Sequence, residues 1–188
     1  IDGKTCIVTG ATSGVGLAAA RRIAAGGGDL VIVCRNREKA SDVSEELVNR
    51  FGVSVDLFFA DFSDLDQVRR VAVEILYHVP RIDILVNNVG VHNTGRELNE
   101  DGVARVFCVN HLAPFLLTRL LSDRMIENPS ARILYVNSQG HRFKGLDLDD
   151  LNWEKRSYWG LKGYGAAKTA QLLTVWELAD QLADAGVT

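Results

Sequence analysis

The sequence has few of the features that mark secreted, membrane-spanning or nucleic-acid-binding proteins. Its 188 residues include only three cysteines, and because these form no Cys-x-x-Cys motif, reduced thiols in a cytoplasmic protein are expected. No apolar run reaches the roughly 18–20 residues that cross a bilayer, and no signal peptide precedes the first predicted strand. The net charge is only −3 and there is no basic tract, which argues against nucleic acid or a charged membrane surface as a partner.

What the sequence does contain is a regular alternation of apolar β-branched runs and helical patterns. It predicts strands at 6–9, 30–34, 53–60, 82–86 and 133–136, and helices at 17–25, 38–51, from a Ser63 or Asp64 cap to about 77, 98–125 and 164–185. Pro114 predicts a kink or a local break in the long fourth helix. The alternation predicts a doubly wound parallel sheet, a Rossmann-like α/β/α domain that spans residues 1–188.

Both ends of the sequence lie close to this predicted domain. The pattern at 186–188 suggests that another strand begins there, so the last strands of the domain are expected to be missing. A lost N-terminal anchor stays open as an alternative to a protein that is cytoplasmic throughout.

The most informative stretch is the glycine-rich turn between the first strand and the first helix. Gly10 lets the chain turn sharply, while Gly14 and Gly16 let backbone approach a phosphate and the helix pack close to the strand. Free N–H groups at the helix N-terminus then favour a pyrophosphate. A merely structural turn is the alternative, because any strand–helix turn can carry glycine. The residues assigned to a dinucleotide here are Gly10, Thr12, Ser13, Gly14, Val15 and Gly16.

Residues after strands two and three are expected beside the adenosine, since ligands bind beyond the carboxyl ends of parallel strands. Arg35 stands where a carboxylate would repel a 2′-phosphate, so NADP(H) is predicted over NAD(H), with Asn36 alongside. The alternative is that Arg35 and Arg37 form a solvated helix entry. Asp61 and Phe62 are expected to flank the adenine, although Asp61 is almost as well explained as the cap of the next turn.

Acid–base chemistry is predicted at Ser138, which follows strand five, and at a Tyr-x-x-x-Lys pair in the last helix. Tyr164 and Lys168 lie four residues apart and therefore share one face of that helix. A nearby ammonium stabilises a tyrosinate, which suits Tyr164 to give a proton to a carbonyl oxygen or take one from an alcohol. Such a pair is weak evidence alone, and the glycine turn together with Ser138 makes it strong.

Together these motifs resemble the short-chain dehydrogenase/reductase family over essentially the whole sequence. The stretch 107–118 resembles the retinol-dehydrogenase-like branch, although Ala113-Pro114 departs from its usual Gly-His. The motif after strand four is similar to the family's Asn-Asn-Ala-Gly, with valine in place of alanine. This similarity implies that a nicotinamide ribose is bordered by Asn87, Asn88, Val89 and Gly90.

The resemblance also implies an intact catalytic tetrad. In it Asn110 interrupts its helix and holds a water in a proton relay to Lys168, Ser138 orients the carbonyl, and Lys168 tunes Tyr164 and grips the ribose. Without the resemblance, an amide at position 110 would be interpreted as solvated or as bonded to its own helix. Family members often oligomerise through their long fourth and fifth helices, which leaves a homo-oligomer open.

The sequence is therefore interpreted as an NADP-linked oxidoreductase that moves hydride between nicotinamide and a carbonyl or alcohol of an apolar small molecule. Trp153, Tyr158 and Trp159 suggest the apolar substrate, or else pack their loop against the domain. A different class stays open, a nucleotide-sensing or scaffold protein without turnover. No metal is expected, because His111 and His141 lack partners at ligand spacing.

Overall fold

The computed structural model describes residues 1–188 and contains five strands and six α-helices. Strands β1 to β5 are Thr5–Thr9, Asp29–Cys34, Val55–Phe59, Ile84–Asn87 and Arg132–Tyr135. Helices α1 to α6 are Gly14–Ala25, Arg37–Phe51, Leu65–His78, Arg105–Phe107, Ala113–Ile126 and Gly160–Leu182. A π-helical turn, Cys108–Leu112, joins α4 to α5, and 3₁₀ turns follow β5 and α6 at Gln139–Phe143 and Ala183–Ala185.

All five strands are parallel and lie in the order β3-β2-β1-β4-β5, which confirms the predicted doubly wound sheet. Side chains alternate between the two faces of the sheet along each strand, and helices cover both faces. On β1, Ile7 packs with residues of α3 and α5, while Cys6 and Val8 pack with residues of α1 and α2. On β2, Val31 and Ile32 divide in the same way. The result is the expected three-layer arrangement.

Local sequence decides where several helices begin and end. Asp64 is the cap of α3, since its Oδ1 accepts hydrogen bonds from the backbone N–H groups of Asp66 (2.9 Å) and Gln67 (3.0 Å). Helix α2 ends at Gly52, whose φ of +69° is in the left-handed region that favours glycine. The last helix begins at Gly160 rather than at residue 164, one turn earlier than predicted.

The predicted helix over 98–125 is wrong at its start, and it is interrupted near Pro114, where a kink or a local break was predicted. Helical structure begins only at Arg105, because Leu98 and Ala104 form an isolated antiparallel bridge. The irregularity is the π-helical turn, which ends before Pro114. Proline offers no N–H to the carbonyl four residues earlier, that of Asn110. This carbonyl accepts a hydrogen bond from Gln171 Nε2 (3.1 Å).

The amino end of the sheet is held by a buried carboxylate, Asp83, which is 1% exposed. It accepts hydrogen bonds from Lys4 Nζ (3.1 Å), Thr5 N (3.0 Å), Arg81 Nη2 (2.8 Å) and Asn128 Nδ2 (2.9 Å). Burial alone would raise the pKa of Asp83, but the bonds from Arg81 and the other donors hold it well below its usual range. The four donors tie the starts of β1, β4 and β5 together.

The backbone of Thr188 pairs with the β5 segment. Its N–H donates to Ala131 O (3.1 Å), and its carbonyl accepts from Ile133 N (2.7 Å). That a further strand begins at 186–188 stays a prediction. None of the helices combines the length and the apolar character that a membrane span requires. The three cysteines are free and buried.

Candidate active site

A continuous cleft lies beyond the carboxyl ends of β1 and β4, where the strand order reverses. It consists of two adjoining cavities of about 520 and 600 Å³. The first is lined by the glycine turn and by residues after β2 and β3, and the second by residues after β5 and on α6. They share the lining residues Val15, Asn88, Gly90 and Val91.

Two glycines of the turn are required by its geometry. Gly10 has a φ of +70°, and Gly16 packs so closely that a Cβ there would collide with the Gly10 carbonyl and with Asn88 Nδ2. Gly14 has a φ of +55° but faces open space, so its requirement is one of backbone conformation. Of the predicted residues in this turn, all except Gly14 line the cleft.

Thr9 and Asn88 brace the glycine turn against the loop after β4. Thr9 Oγ1 accepts from Asn88 N (2.9 Å) and Val89 N (3.1 Å), and Asn88 Nδ2 donates to Thr9 O (2.9 Å) and Gly10 O (3.3 Å). Sequence reasoning missed Thr9, although a hydroxyl at the end of an apolar strand was a usable signal. The side chain of Asn88 therefore fixes the shape of the cleft as well as lining it.

Asn87 does not line the cleft, in contrast to the other residues of its motif. Its side chain is buried and Nδ2 donates to Thr118 Oγ1 on α5 (2.9 Å). Thr118 Oγ1 also accepts a hydrogen bond from the Tyr135 hydroxyl on β5 (2.7 Å). Residues alternate across a strand, so the last residue of β4 points to the helical layer while the next residues enter the cleft.

Beyond the ends of β2 and β3, Asp61 both pairs with Arg35 and caps the next turn. Arg35 Nη1 lies 3.2 Å from Asp61 Oδ2, and this arginine side chain is 68% exposed. Asp61 Oδ1 accepts from Ser63 N (2.8 Å) and Ser63 Oγ (2.7 Å). Burial raises the pKa of Asp61, but the hydrogen bonds from Ser63 and Arg35 outweigh it and lower the pKa. The capping interpretation is therefore confirmed, and an adenine contact stays a prediction.

Of three further residues that follow β2, two line the cleft and one does not. Arg37 stacks its guanidinium over the Phe59 ring, 4.0 Å from the ring centre, and does not line the cleft. Asn36 lines the cleft while its side chain caps α2 through Lys39 N (2.8 Å). Lys39 also lines the cleft, and sequence reasoning missed it. A cation in the first turn of a helix opposes the helix dipole, which was the available signal.

On the opposite side of the cleft, Lys168 is nearly enclosed, with 3% of its surface exposed. Burial lowers its pKa to about 8. Its Nζ donates to Val136 O (2.8 Å) and Gln171 Oε1 (3.3 Å), and lies 5.8 Å from the centre of the Tyr164 ring. Tyr164 meets the His92 ring edge-on at 5.7 Å. Lys168, Tyr164 and His92 all line the cleft, and His92 was missed from the sequence.

Ser138 is brought beside Tyr164 by the turn after β5. Its Oγ accepts from Gly140 N (3.0 Å), and a Cβ on Gly140 would lie 2.6 Å from the tyrosine ring. Glycine at 140 therefore lets the ring approach the serine. Asn137 anchors this turn to α6, because its Nδ2 donates to Lys168 O (2.9 Å) and Gln171 Oε1 (2.9 Å).

Asn110 lies behind the cleft in the π-helical turn and is fully buried. Its Oδ1 accepts from Val91 N and its Nδ2 donates to Val91 O, both at 2.8 Å. The side chain is therefore neither solvated nor bonded to its own helix. It holds the loop after β4, while its backbone carbonyl faces Gln171.

His111 and His141 each have neighbours within the fold. His111 packs against Phe107 and Phe115, and burial lowers its pKa to about 4. His141 Nδ1 lies 2.8 Å from Ser138 O and so belongs to the turn after β5. No group of three or more His, Cys, Asp or Glu residues could hold a metal ion.

The loop that carries Trp153, Tyr158 and Trp159 packs against the domain, and none of these three side chains lines the cleft. Trp153 is buried under the Arg156 guanidinium, 3.8 Å from its ring centre, and Tyr158 Oη donates to Asn93 O (3.4 Å). Trp159 is 51% exposed. The large apolar side chains that line the second cavity are instead Phe143 and Leu161.

A family model described as short chain dehydrogenase matches residues 4–148. The chain therefore belongs to the short-chain dehydrogenase family, as the sequence motifs predicted. Human retinol dehydrogenase 13 is 38% identical to it over 192 aligned residues, which cover 100% of this chain and 57% of that protein. This similarity confirms the predicted retinol-dehydrogenase-like branch, and the chain spans little more than half of that relative's length.

Two solved structures show how closely the fold is shared. A short-chain dehydrogenase from Sphingobium yanoikuyae in complex with NADPH matches with a TM-score of 0.80 and 26% identity, covering 98% of this chain and 67% of that one. The bulky-bulky ketone specific alcohol dehydrogenase from Comamonas testosteroni matches with a TM-score of 0.81 and 25% identity, covering 100% and 70%.

Proposed function

We propose that the protein is an NADP-linked oxidoreductase that transfers hydride between nicotinamide and the carbonyl or alcohol carbon of an apolar small molecule. The observation that carries the proposal is that Ser138, Tyr164 and Lys168 line a cleft continuous with the glycine turn. A nicotinamide cofactor, when bound, supplies the hydride chemistry that no amino-acid side chain offers.

The residues of the first cavity fit a dinucleotide. Ser13, Val15 and Gly16 line the cleft at the start of α1, where backbone N–H groups favour a pyrophosphate. The groups assigned to the pyrophosphate, the adenosine and the ribose are those of the glycine turn, Arg35, Asn36, Asp61, Phe62, Asn88, Val89 and Gly90. Tyr164 and Lys168 complete the ribose side.

NADP(H) is proposed over NAD(H) because Arg35 and Lys39 line the cavity after β2 and no carboxylate ends that strand. Arg35 is held near the cleft by Asp61, and Lys39 lines the same wall. Asp61 shares the Arg35 charge, so Lys39 supplies part of the attraction for a 2′-phosphate. The NADPH complex of the Sphingobium relative supports the same choice.

Tyr164 is proposed as the general acid or base. The buried Lys168 ammonium on the same helix face favours the tyrosinate, and Ser138 offers a hydroxyl to a carbonyl oxygen on the same cavity wall. Asn110 supports these groups from behind through the Val91 loop. The proton is given to a forming alkoxide in reduction, or taken from an alcohol in oxidation.

An apolar substrate is proposed from the walls of the second cavity. Val91, Val136, Phe143 and Leu161 line it around the Ser138 and Tyr164 hydroxyls. Apolar walls with a few convergent polar groups are typical of small-molecule sites. The Comamonas relative, whose name specifies bulky ketones, is compatible with this substrate class.

A homo-oligomer is part of the proposal. Helices α5 and α6 expose the large apolar side chains Phe115, Leu173 and Trp176, and Phe115 and Leu173 line one groove. Burial of such a patch favours association. Replacing Leu173 and Trp176 by glutamate should reduce the size measured by light scattering, and an unchanged size would exclude this face.

The alternative is a nucleotide-sensing or scaffold protein on the same fold. The enclosed Lys168 argues against it, because a sensor does not require an ammonium held beside a tyrosine. The full-length protein should oxidise NADPH with a panel of aldehydes and ketones. Tight NADPH binding without turnover of any apolar carbonyl or alcohol, in either direction, would support the sensor instead.

A further inference from the structure

Gln171 lies one helical turn after Lys168 on α6 and is 1% exposed. An unpaired amide at that depth would destabilise the fold. Both polar atoms of its side chain are instead paired: Oε1 accepts from Lys168 Nζ (3.3 Å) and Asn137 Nδ2 (2.9 Å), and Nε2 donates to the Asn110 carbonyl (3.1 Å). Gln171 thus joins three elements of the site.

The chemistry of the partners fixes the orientation of this amide. The Lys168 ammonium can only donate, so it must meet Oε1, and the Asn110 carbonyl can only accept, so it must meet Nε2. The Asn110 carbonyl is available because Pro114 has no N–H to offer it. Three features of the sequence, Pro114, Asn110 and Gln171, therefore depend on one another.

We infer that Gln171 is a positioning residue for the proposed acid–base chemistry, because it clamps the Lys168 ammonium to the Asn110 carbonyl in one fixed bridge. The inference rests on the proposed function, since Gln171 acts only through Lys168. The bridge lies where the family resemblance implies a water between the same two groups. Unlike water, an amide does not pass a proton on, so the bridge holds the ammonium in place and leaves one N–H of Lys168 for the cleft.

Few other charged or titratable groups surround Lys168. Tyr164 is on the same helix, and His92 lies beyond the tyrosine ring in the loop after β4. His141 lies in the turn after β5, hydrogen-bonded to Ser138 O. Lys168 forms no salt bridge, and burial is the cause of its lowered pKa. The charged form is therefore stabilised by two neutral oxygens, the Val136 carbonyl and Gln171 Oε1.

Two variants separate this role from a structural one. Gln171→Met keeps the approximate side-chain shape and removes all three hydrogen bonds, whereas Gln171→Glu keeps an acceptor for Lys168 and adds a negative charge. Titration of Lys168 by NMR in the cofactor-free protein should show its pKa falling by about one pH unit in Gln171→Met. In Gln171→Glu it should rise, because a carboxylate favours the ammonium. The alkaline limit of turnover should move in the same two directions.

Opposite shifts are the signature of a direct contact, since general loosening would move both variants alike. Gln181→Met, an exposed position of the same helix, is the control and should leave the titration unchanged. Unchanged Lys168 titration in folded Gln171→Met and Gln171→Glu, or shifts in one direction, would overturn the inference. If Gln171→Met does not fold, the pKa of Lys168 is compared in Gln171→Asn, whose shorter side chain should lower it, and in Gln171→Glu, which should raise it. Failure of the proposed function is distinct, since it would appear as turnover retained in Tyr164→Phe.

Discussion

The two ends of the sheet both carry polar side chains, but those at the amino end are paired within the chain and those at the carboxyl end line a cleft. At the amino end, the Asp83 carboxylate is surrounded by four hydrogen-bond donors within the chain. At the carboxyl end, Ser138, Tyr164 and Lys168 line a cleft of about 600 Å³. A saturated polar cluster fixes strands to one another, whereas polar groups on an open wall remain available to a ligand.

The two ends also differ in how burial changes the pKa of their charged groups. Burial lowers the pKa of Lys168 to about 8, so the folded protein destabilises its charged form. Asp83 has the opposite shift, because its donors stabilise the charged form more than burial destabilises it. The amino end of the sheet therefore stabilises the Asp83 carboxylate, which supports the fold. The carboxyl end destabilises the Lys168 ammonium, which the proposed chemistry requires.

The largest expected effect is on the open end. Tyr164→Phe should lower turnover by about 10²- to 10⁴-fold, because it removes the proposed proton donor, while NADPH binding by fluorescence titration changes little. Tyr158→Phe is the matched control, since that hydroxyl bonds to Asn93 O outside the cleft. Near-normal turnover of Tyr164→Phe would remove this residue from the chemistry.

The saturated end should respond in stability and not in chemistry. Asp83→Asn should lower the free energy of unfolding by about 2–3 kcal/mol, since it leaves buried donors poorly paired. The pKa of Asp83 is lowered in the folded state, so its contribution is present above about pH 4 and is lost as the pH falls further. Denaturant titrations at pH 7 and pH 3 measure the difference. Asp56→Asn, an exposed change on β3, should be neutral, and a loss of equal size at both pH values would contradict the assignment.

Two glycines of the turn are required for different reasons, Gly16 because a side chain there would collide and Gly14 because of its backbone conformation. Gly16→Ala should destabilise the fold by about 1–3 kcal/mol and weaken NADPH binding, because its Cβ meets the Gly10 carbonyl and Asn88. Gly14→Ala meets nothing within 4 Å and has only its φ of +55° to overcome, so it should be milder. Equal effects of the two changes, by thermal melting and cofactor titration, would show that the close approach is unimportant.

The smallest effect concerns cofactor choice. Arg35→Ala and Lys39→Ala should each reduce the preference for NADPH over NADH several-fold, and together about tenfold or more. Arg37→Ala is the control, because its guanidinium lies on Phe59. Ratios of kcat/KM for the two cofactors provide the measurement. Equal efficiency with both cofactors in the unchanged protein would show that these cations do not read a 2′-phosphate.

Several of these features were predictable from local sequence. The strand and helix order followed from the alternating patterns, and Asp64, Gly52 and the glycine turn acted as expected at their own positions. Tyr164 and Lys168 share a face because helical spacing alone puts them there. The family followed from these motifs, since each has a fixed spacing within a few residues.

Only the tertiary structure decided which distant groups meet. The 98–104 segment is not helical because it pairs Leu98 with Ala104, and Arg35 is shared with Asp61 across two strands. The roles of Thr9 and Gln171 arise from partners far along the chain. Thr9 Oγ1 accepts from Asn88 N and Val89 N, 79 and 80 residues away, and Gln171 Nε2 donates to the Asn110 carbonyl, 61 residues away. The sequence by itself determined the strands, the turn and the tyrosine–lysine pair, because those depend on neighbours along the chain. The bridge behind Lys168 depends on packing three separate elements together, and no local pattern encodes that contact.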